Sequence, residues 1–145
     1  MYKNVLFSVI LLLLTGAGLS AQSADPAPNS AAAVSHAGLD SLLRKYVSDE
    51  GKVDYKGFKA DKDALYAYCQ LLTDNPVQEA WTREEKMAYW INAYNAYTIK
   101  LIVDNYPAKS ILNFDGGKTW DVRRIKIGGK KSSMNNIEND ILRPQ

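Results

Sequence analysis

One segment, Thr82 to Asn105, constrains this chain more than any other, because it reads as a long helix that is apolar around most of its circumference. At about 100° per residue, Met87, Trp90, Ile91, Tyr94, Tyr97, Leu101 and Ile102 form one broad apolar face. Lys86, Tyr89, Ala93 and Lys100 mark the narrow side expected to face water. A helix of this kind belongs in the middle of a domain. Its ends are marked locally. Thr82 followed by Glu85 forms a capping box, Trp81 stands where it can staple back onto the first turns, and Asn105-Tyr106-Pro107 stops the helix.

Two amides interrupt the apolar arc. Asn92 and Asn95 lie between Ile91 and Ile102 on one side and Ile99 and Val103 on the other, with Tyr94 beside them. A buried amide without a partner costs roughly 1–3 kcal/mol. Both must therefore bond neighbouring backbone, water or a ligand. Buried polar groups normally satisfy their neighbours, so internal clamps on buried backbone are the expectation. A ligand-binding cluster of Asn92, Asn95 and Tyr94 is the alternative.

The first residues have a different character. Lys3 supplies a positive start, Val5 to Leu14 an apolar stretch, and Gly16 to Ala21 a small-residue run. That is the layout of a secretory signal peptide, assigned to residues 1–22. The apolar stretch is short for a bilayer span, so cleavage is expected over retention as a membrane anchor. No cysteine follows the apolar stretch, which excludes a lipid-modified N-terminus of the bacterial lipoprotein kind. Residues 23–36, rich in Ala, Ser, Pro and Asn, read as a flexible linker. Residues 37–145 are enough for one small domain. The expected location is secreted or periplasmic.

Cysteine and histidine are scarce. Cys69 and His36 each occur once, so no intrachain disulfide exists and no histidine- or cysteine-based metal site is expected. Cys69 falls in helical register with Leu65, Tyr68 and Leu72 and reads as a small buried apolar residue. Glu50, Asp54, Glu84, Glu85, Asp121 and Glu138 are scattered over separate elements, and no pair stands out as acid and base. No catalytic residue and no cofactor is assigned.

Along the chain, Leu39, Leu42, Leu43, Tyr46 and Val47 follow an amphipathic helical pattern that ends at Ser48-Asp49-Glu50-Gly51. A second helix is expected from Phe58 to Leu72. After the long helix, Trp120 to Ile127 alternates, Gly128-Gly129 suits a hairpin turn, and Lys130 to Ser132 would return. Ser133 looks like the cap of a last helix, Met134 to Leu142. The fold class is α+β and mostly helical: a long buried central helix packed by two shorter helices, then a β-hairpin and a terminal helix. Lys118, Arg123, Arg124, Lys126, Lys130 and Lys131 make the hairpin basic. An anionic partner such as a cell-wall polymer or lipid headgroups would suit it, and so would a solvated face whose lysines protect a strand edge. The formal net charge of +2 gives no global pull toward nucleic acid.

Glu85-Lys-Met-Ala-Tyr-Trp-Ile-Asn-Ala-Tyr-Asn-Ala-Tyr97, followed by Asn105-Tyr106-Pro107 and Ser110-Ile111, resembles the DUF547 family, whose hallmark is Trp-Ile-Asn-x-Tyr-Asn-Ala. Supporting matches are Gly51-x-Val53-Asp54-Tyr55, Trp120-Asp121, Ile127-Gly128-Gly129-Lys130 and Asn136-Ile137-Glu138 with Leu142-Arg143. The resemblance runs from about Leu39 to Gln145. Family members are widespread in bacteria, occur in plants, and have a largely unassigned biochemical role. In the family, the segment after Ile-Leu-Arg continues into a His-Phe-Ala-Leu-type strand with nearby cysteines. This sequence ends at Leu142-Arg143-Pro144-Gln145, so the resemblance implies an incomplete domain truncated on its C-terminal side. If that His/Cys segment makes complete members cysteine-hydrolase-like enzymes, this chain alone would be a non-catalytic fragment or a binding or structural module. A central helix left partly uncovered would then expose apolar surface and favour self-association.

Overall fold

The computed structural model describes residues 32–144, so the expected signal peptide and most of the expected linker lie outside the described residues. Helix α1 spans Ala37–Tyr46, α2 Tyr55–Ala60, α3 Lys62–Asp74 and α4 Arg83–Asp104. A 3-10 segment follows at Ile111–Gly117, then strands β1, Ile125–Ile127, and β2, Lys130–Ser132, and a terminal π-helix, Asn136–Leu142. The fold is α+β and mostly helical, with α4 packed against α2, α3 and the π-helix. Among the described residues, no helix is long and apolar enough to cross a membrane.

The ends of α4 are as the sequence requires. Thr82 Oγ1 accepts from Glu85 N at 3.1 Å, and Glu85 Oε2 accepts from Thr82 N at 2.7 Å. Trp81 is buried, with its ring 5.7 Å from that of Tyr89. Asn105 ends the helix.

The buried side of α4 is the reverse of the expectation. Tyr89, Ala93 and Ala96 are each 0 % exposed, with Ile99 and Val103 also buried. Met87, Trp90, Ile91, Tyr94, Tyr97 and Ile102 are only half-buried, and of the expected broad face Leu101 alone is fully inside. The reason is geometric. Two alanines on this side leave room for a neighbouring helix, and Tyr89 on the same side reaches α3. Tyr89 Oη donates to the carbonyl of Leu72 at 2.7 Å, in the last turn of α3, where carbonyls have no helical partner. Reading apolar bulk alone places the large residues inward, whereas close helix packing selects the small ones.

The single helix expected over Phe58–Leu72 is two. The break falls at Asp61, with φ −103° and ψ 26°. Its carboxylate accepts from Lys45 Nζ at 2.7 Å and Tyr46 Oη at 2.6 Å, both on α1. These bonds tie the α2–α3 junction to α1, which packs on α2 and α3, while α2 and α3 pack directly on α4. Phe58, Leu65 and Leu72 are fully buried in the shared core, with Cys69 beside them.

The hairpin forms where expected but is shorter. Ile125 pairs with Ser132, Lys126 with Lys131 and Ile127 with Lys130. Gly128 and Gly129 both hold positive φ, 56° and 77°, the backbone a tight two-residue turn requires. Residues 120–124, expected to extend β1, are turn and irregular chain. The terminal element begins under Ser133, whose Oγ accepts from Asn136 N at 3.1 Å, but it continues as a π-helix rather than an α-helix. Its wider turn is visible in Arg143 N donating to Glu138 O, five residues back, at 3.0 Å. Met134 and Ile137 are buried by it.

The large apolar residues of α4 that are not buried, Met87, Trp90, Ile91, Tyr94, Tyr97 and Ile102, each keep only part of their surface open. The exposed large apolar side chains are Leu71 at 40 % and Leu112 at 49 %, neither on α4.

Candidate functional site

The amides of α4 come first. Asn92 and Asn95 are half-buried, and among the described residues neither side chain makes a hydrogen bond. The clamp on buried backbone expected of them therefore has no contact behind it. Because α4 turns its alanine face inward, both amides sit on the flank that remains partly open, where water can satisfy them. Tyr94 points elsewhere. Its hydroxyl lies 3.4 Å from Glu138 Oε2 on the π-helix, and burial raises its pKa above the usual tyrosine value. The three residues do not share hydrogen bonds with one another.

The tyrosines of α4 that bond to α3 are Tyr97, expected on the apolar face, and Tyr89, expected to face water. Tyr97 Oη donates to Cys69 O at 3.0 Å and meets Thr73 Oγ1 at 2.9 Å. Tyr89 holds Leu72 O in the same way one face round. The available signal was the spacing of Tyr89, Ala93 and Ala96, a small-residue stripe flanked by a hydroxyl.

Nucleophile chemistry has little to work with. Cys69 is buried, and burial pushes its thiol up to about 12, with Lys100 opposing that shift and Asp104 reinforcing it. A reactive thiolate needs the opposite setting. His36 does not face it; Nδ1 of His36 lies 2.7 Å from Tyr68 Oη. Of the six carboxylates singled out in the sequence, all but the exposed Glu84 are engaged locally. Asp54 caps α2 through Gly57 N, Glu85 caps α4, Glu50 accepts from Ser48 Oγ, Asp121 from Asn135 Nδ2 and Glu138 from Arg143. Among the described residues, no three His, Cys, Asp or Glu groups gather as a metal site would require.

The basic hairpin is different. Register puts Lys126 directly opposite Lys131, and both are exposed. Arg123 and Lys130 are exposed beside them. The ion pairs of the described residues join Arg44 to Asp40, Lys45 to Asp61, Lys100 to Asp104, Arg124 to Asp115 and Arg143 to Glu138, so these four cations have no carboxylate partner among them.

Arg124 leaves the expected group. Asp115 holds φ 52°, followed by Gly116 at 62° and Gly117 at 86°, and this left-handed turn brings its carboxylate onto the Arg124 guanidinium. Arg124 Nε is buried without an acceptor, and its guanidinium is paired with Asp115 of the 3-10 segment. Thr119 fixes the same segment by donating to Ile111 O at 2.8 Å.

No curated protein and no solved structure matches the chain. The family model described as "Protein of unknown function, DUF547" matches residues 78–145. That stretch contains α4, the 3-10 segment, the hairpin and the π-helix, and it leaves out α1, α2, α3 and the Gly51–Tyr55 segment. From residue 78 onward the chain carries the DUF547 pattern, and the resemblance rests on that part of the molecule.

Proposed function

We propose that this chain is an exported, non-catalytic binding module whose partner is an anionic polymer of the cell envelope. One observation carries the reading: the hairpin register sets Lys126 opposite Lys131 on the outer face, with no acid paired to either among the described residues. Like charges directly opposite on a strand pair are destabilising. Edge protection asks for charge along a strand but not for two cations set directly opposite each other, so the facing pair is better accounted for by a ligand that neutralises it. Arg123 and Lys130 extend the cationic surface along the hairpin. A polymer suits it better than a lipid surface because the hairpin presents no exposed large apolar side chain to insert. Export rests on the layout of Lys3, Val5–Leu14 and Gly16–Ala21. A thiol-based site made of this chain's own Cys69 and His36 is disfavoured by the burial of Cys69 and by the engagement of His36 with Tyr68.

The test is a titration with a soluble poly(glycerol phosphate), with a neutral glucan as control. Binding that weakens with added salt is expected, with a loss of about tenfold, roughly 1.4 kcal/mol, in the Lys126→Glu, Lys131→Glu double variant. Equal affinity for the glucan, or an unchanged double variant, would refute the anionic reading. Tighter binding to anionic lipid vesicles than to the polymer would move the partner to the membrane. Intact mass of the exported protein checks the leader: loss of about the first 22 residues is expected, and a mass retaining Met1 to Ser20 would instead mean an uncleaved anchor.

A further inference from the structure

Ala33 and Val34 pack on the core ahead of α1, and His36 ends this segment against α3. The His36 and Tyr68 rings meet edge-on with centroids 6.1 Å apart, and Tyr68 is 4 % exposed. A phenol this buried must find its acceptor inside the protein. Neutral imidazole provides one: Tyr68 Oη donates to Nδ1, and the ring proton sits on Nε2. Protonated imidazole has two N–H donors and no acceptor. The Tyr68 hydroxyl proton would then be stranded in apolar surroundings.

We infer that the His36–Tyr68 contact is an acid-sensitive clasp, which holds residues 32–36 on α3 while His36 is neutral and loosens them when it is protonated. The groups around it do little to stabilise an imidazolium. From α3 come Tyr68 and, next to it, Cys69, both kept neutral by burial. From α1 comes Asp40, whose amide donates to His36 O at 3.0 Å and whose carboxylate is held by Arg44 at 2.8 Å. From the α2–α3 junction comes Asp61, engaged by Lys45 and Tyr46 at the far end of α1. The positive end of the α1 dipole opposes a cation at this position. Burial lowers the His36 pKa from 6.5, in the same direction. Folding thus favours the neutral ring. The clasp is intact above about pH 6.5 and weakens as pH falls from there toward the lowered folded value, below which no further loss follows.

Amide hydrogen exchange reads this directly, because Asp40 N–H bonds the carbonyl of His36. After correction for intrinsic rates, Asp40 protection should fall roughly three- to tenfold between about pH 7.5 and about pH 5, while Ala96 in α4 stays protected. His36→Gln, whose side-chain oxygen can still accept from Tyr68, should abolish the pH dependence. Constant Asp40 protection in the unaltered protein, or the same fall in His36→Gln, would overturn the clasp. Should that variant fail to fold, proton NMR titration of His36 in the unaltered protein decides: a midpoint below 6.5 supports the clasp, and one at or above 6.5 overturns it.

Discussion

The α3–α4 interface and the hairpin treat their polar groups in opposite ways. Between α3 and α4, hydroxyls are spent on backbone: Tyr89 on Leu72 O, Tyr97 and Thr73 on Cys69 O. Alanines 93 and 96 are buried on the same side of α4 as Tyr89. On the hairpin, four exposed cations face solvent without an acid among the described ion pairs, and two of them stand opposite each other. Satisfied groups in a dry interface contribute stability. Unsatisfied charge on a solvated face costs a little stability and leaves interaction energy available to a partner. The first region is therefore where this chain is held together, and the second is where the proposed anionic partner would bind.

The comparison predicts different mutational responses. The largest belongs to the helical core. Leu72→Ala removes a fully buried side chain under α4 and should cost about 2–5 kcal/mol, read as a shift in denaturant midpoint at constant slope. A cost under about 1 kcal/mol would show that α3 and α4 are not tightly joined. Tyr89→Phe keeps the ring and removes the bond to Leu72 O, so about 1–3 kcal/mol should be lost. An unaltered melt would mean that water replaces the hydroxyl there.

Lys131→Glu sharpens the comparison because its two readouts should move in opposite directions. Replacing a like-charge pair by Lys126 opposite Glu should stabilise the fold by roughly 0.2–1 kcal/mol. The same change should weaken binding to the anionic polymer. A variant that loses stability together with binding would place the hairpin among the structural elements. The smallest effect is expected at the amides. Asn92→Leu and Asn95→Leu should each change stability by no more than about 0.5 kcal/mol, since neither side chain bonds to a described residue. A cost of 1 kcal/mol or more in thermal or denaturant melts would restore them as internal clamps.

How much of this was legible in the sequence depended on the range of the interaction. The Thr82–Glu85 box, the stop at Asn105, the glycine turn at 128–129 and the Ser133 cap were all readable, because each is decided within about four residues. The split at Asp61 was not, because the bonds that stabilise it come from Lys45 and Tyr46, 16 and 15 positions away. The direction of α4 was misread for a related reason. Hydropathy ranks Trp90 and Ile91 above Ala93, but the helix that packs against this face rewards small volume and one well-placed hydroxyl.

The candidate site divides along the same line. Composition located the basic cluster between residues 118 and 131, since charge is a property of each residue alone. Only the tertiary structure separated Arg124, turned inward onto Asp115, from Lys126 and Lys131, which face each other and the solvent. Sequence by itself determined the local geometry of this protein: helix ends, turn positions, the sign of the hairpin's charge and the likeness to DUF547. Tertiary structure decided which face of α4 is inside and which charges remain unpaired. Both of those depend on what the rest of the chain brings within hydrogen-bonding distance, and no local pattern encodes that distance.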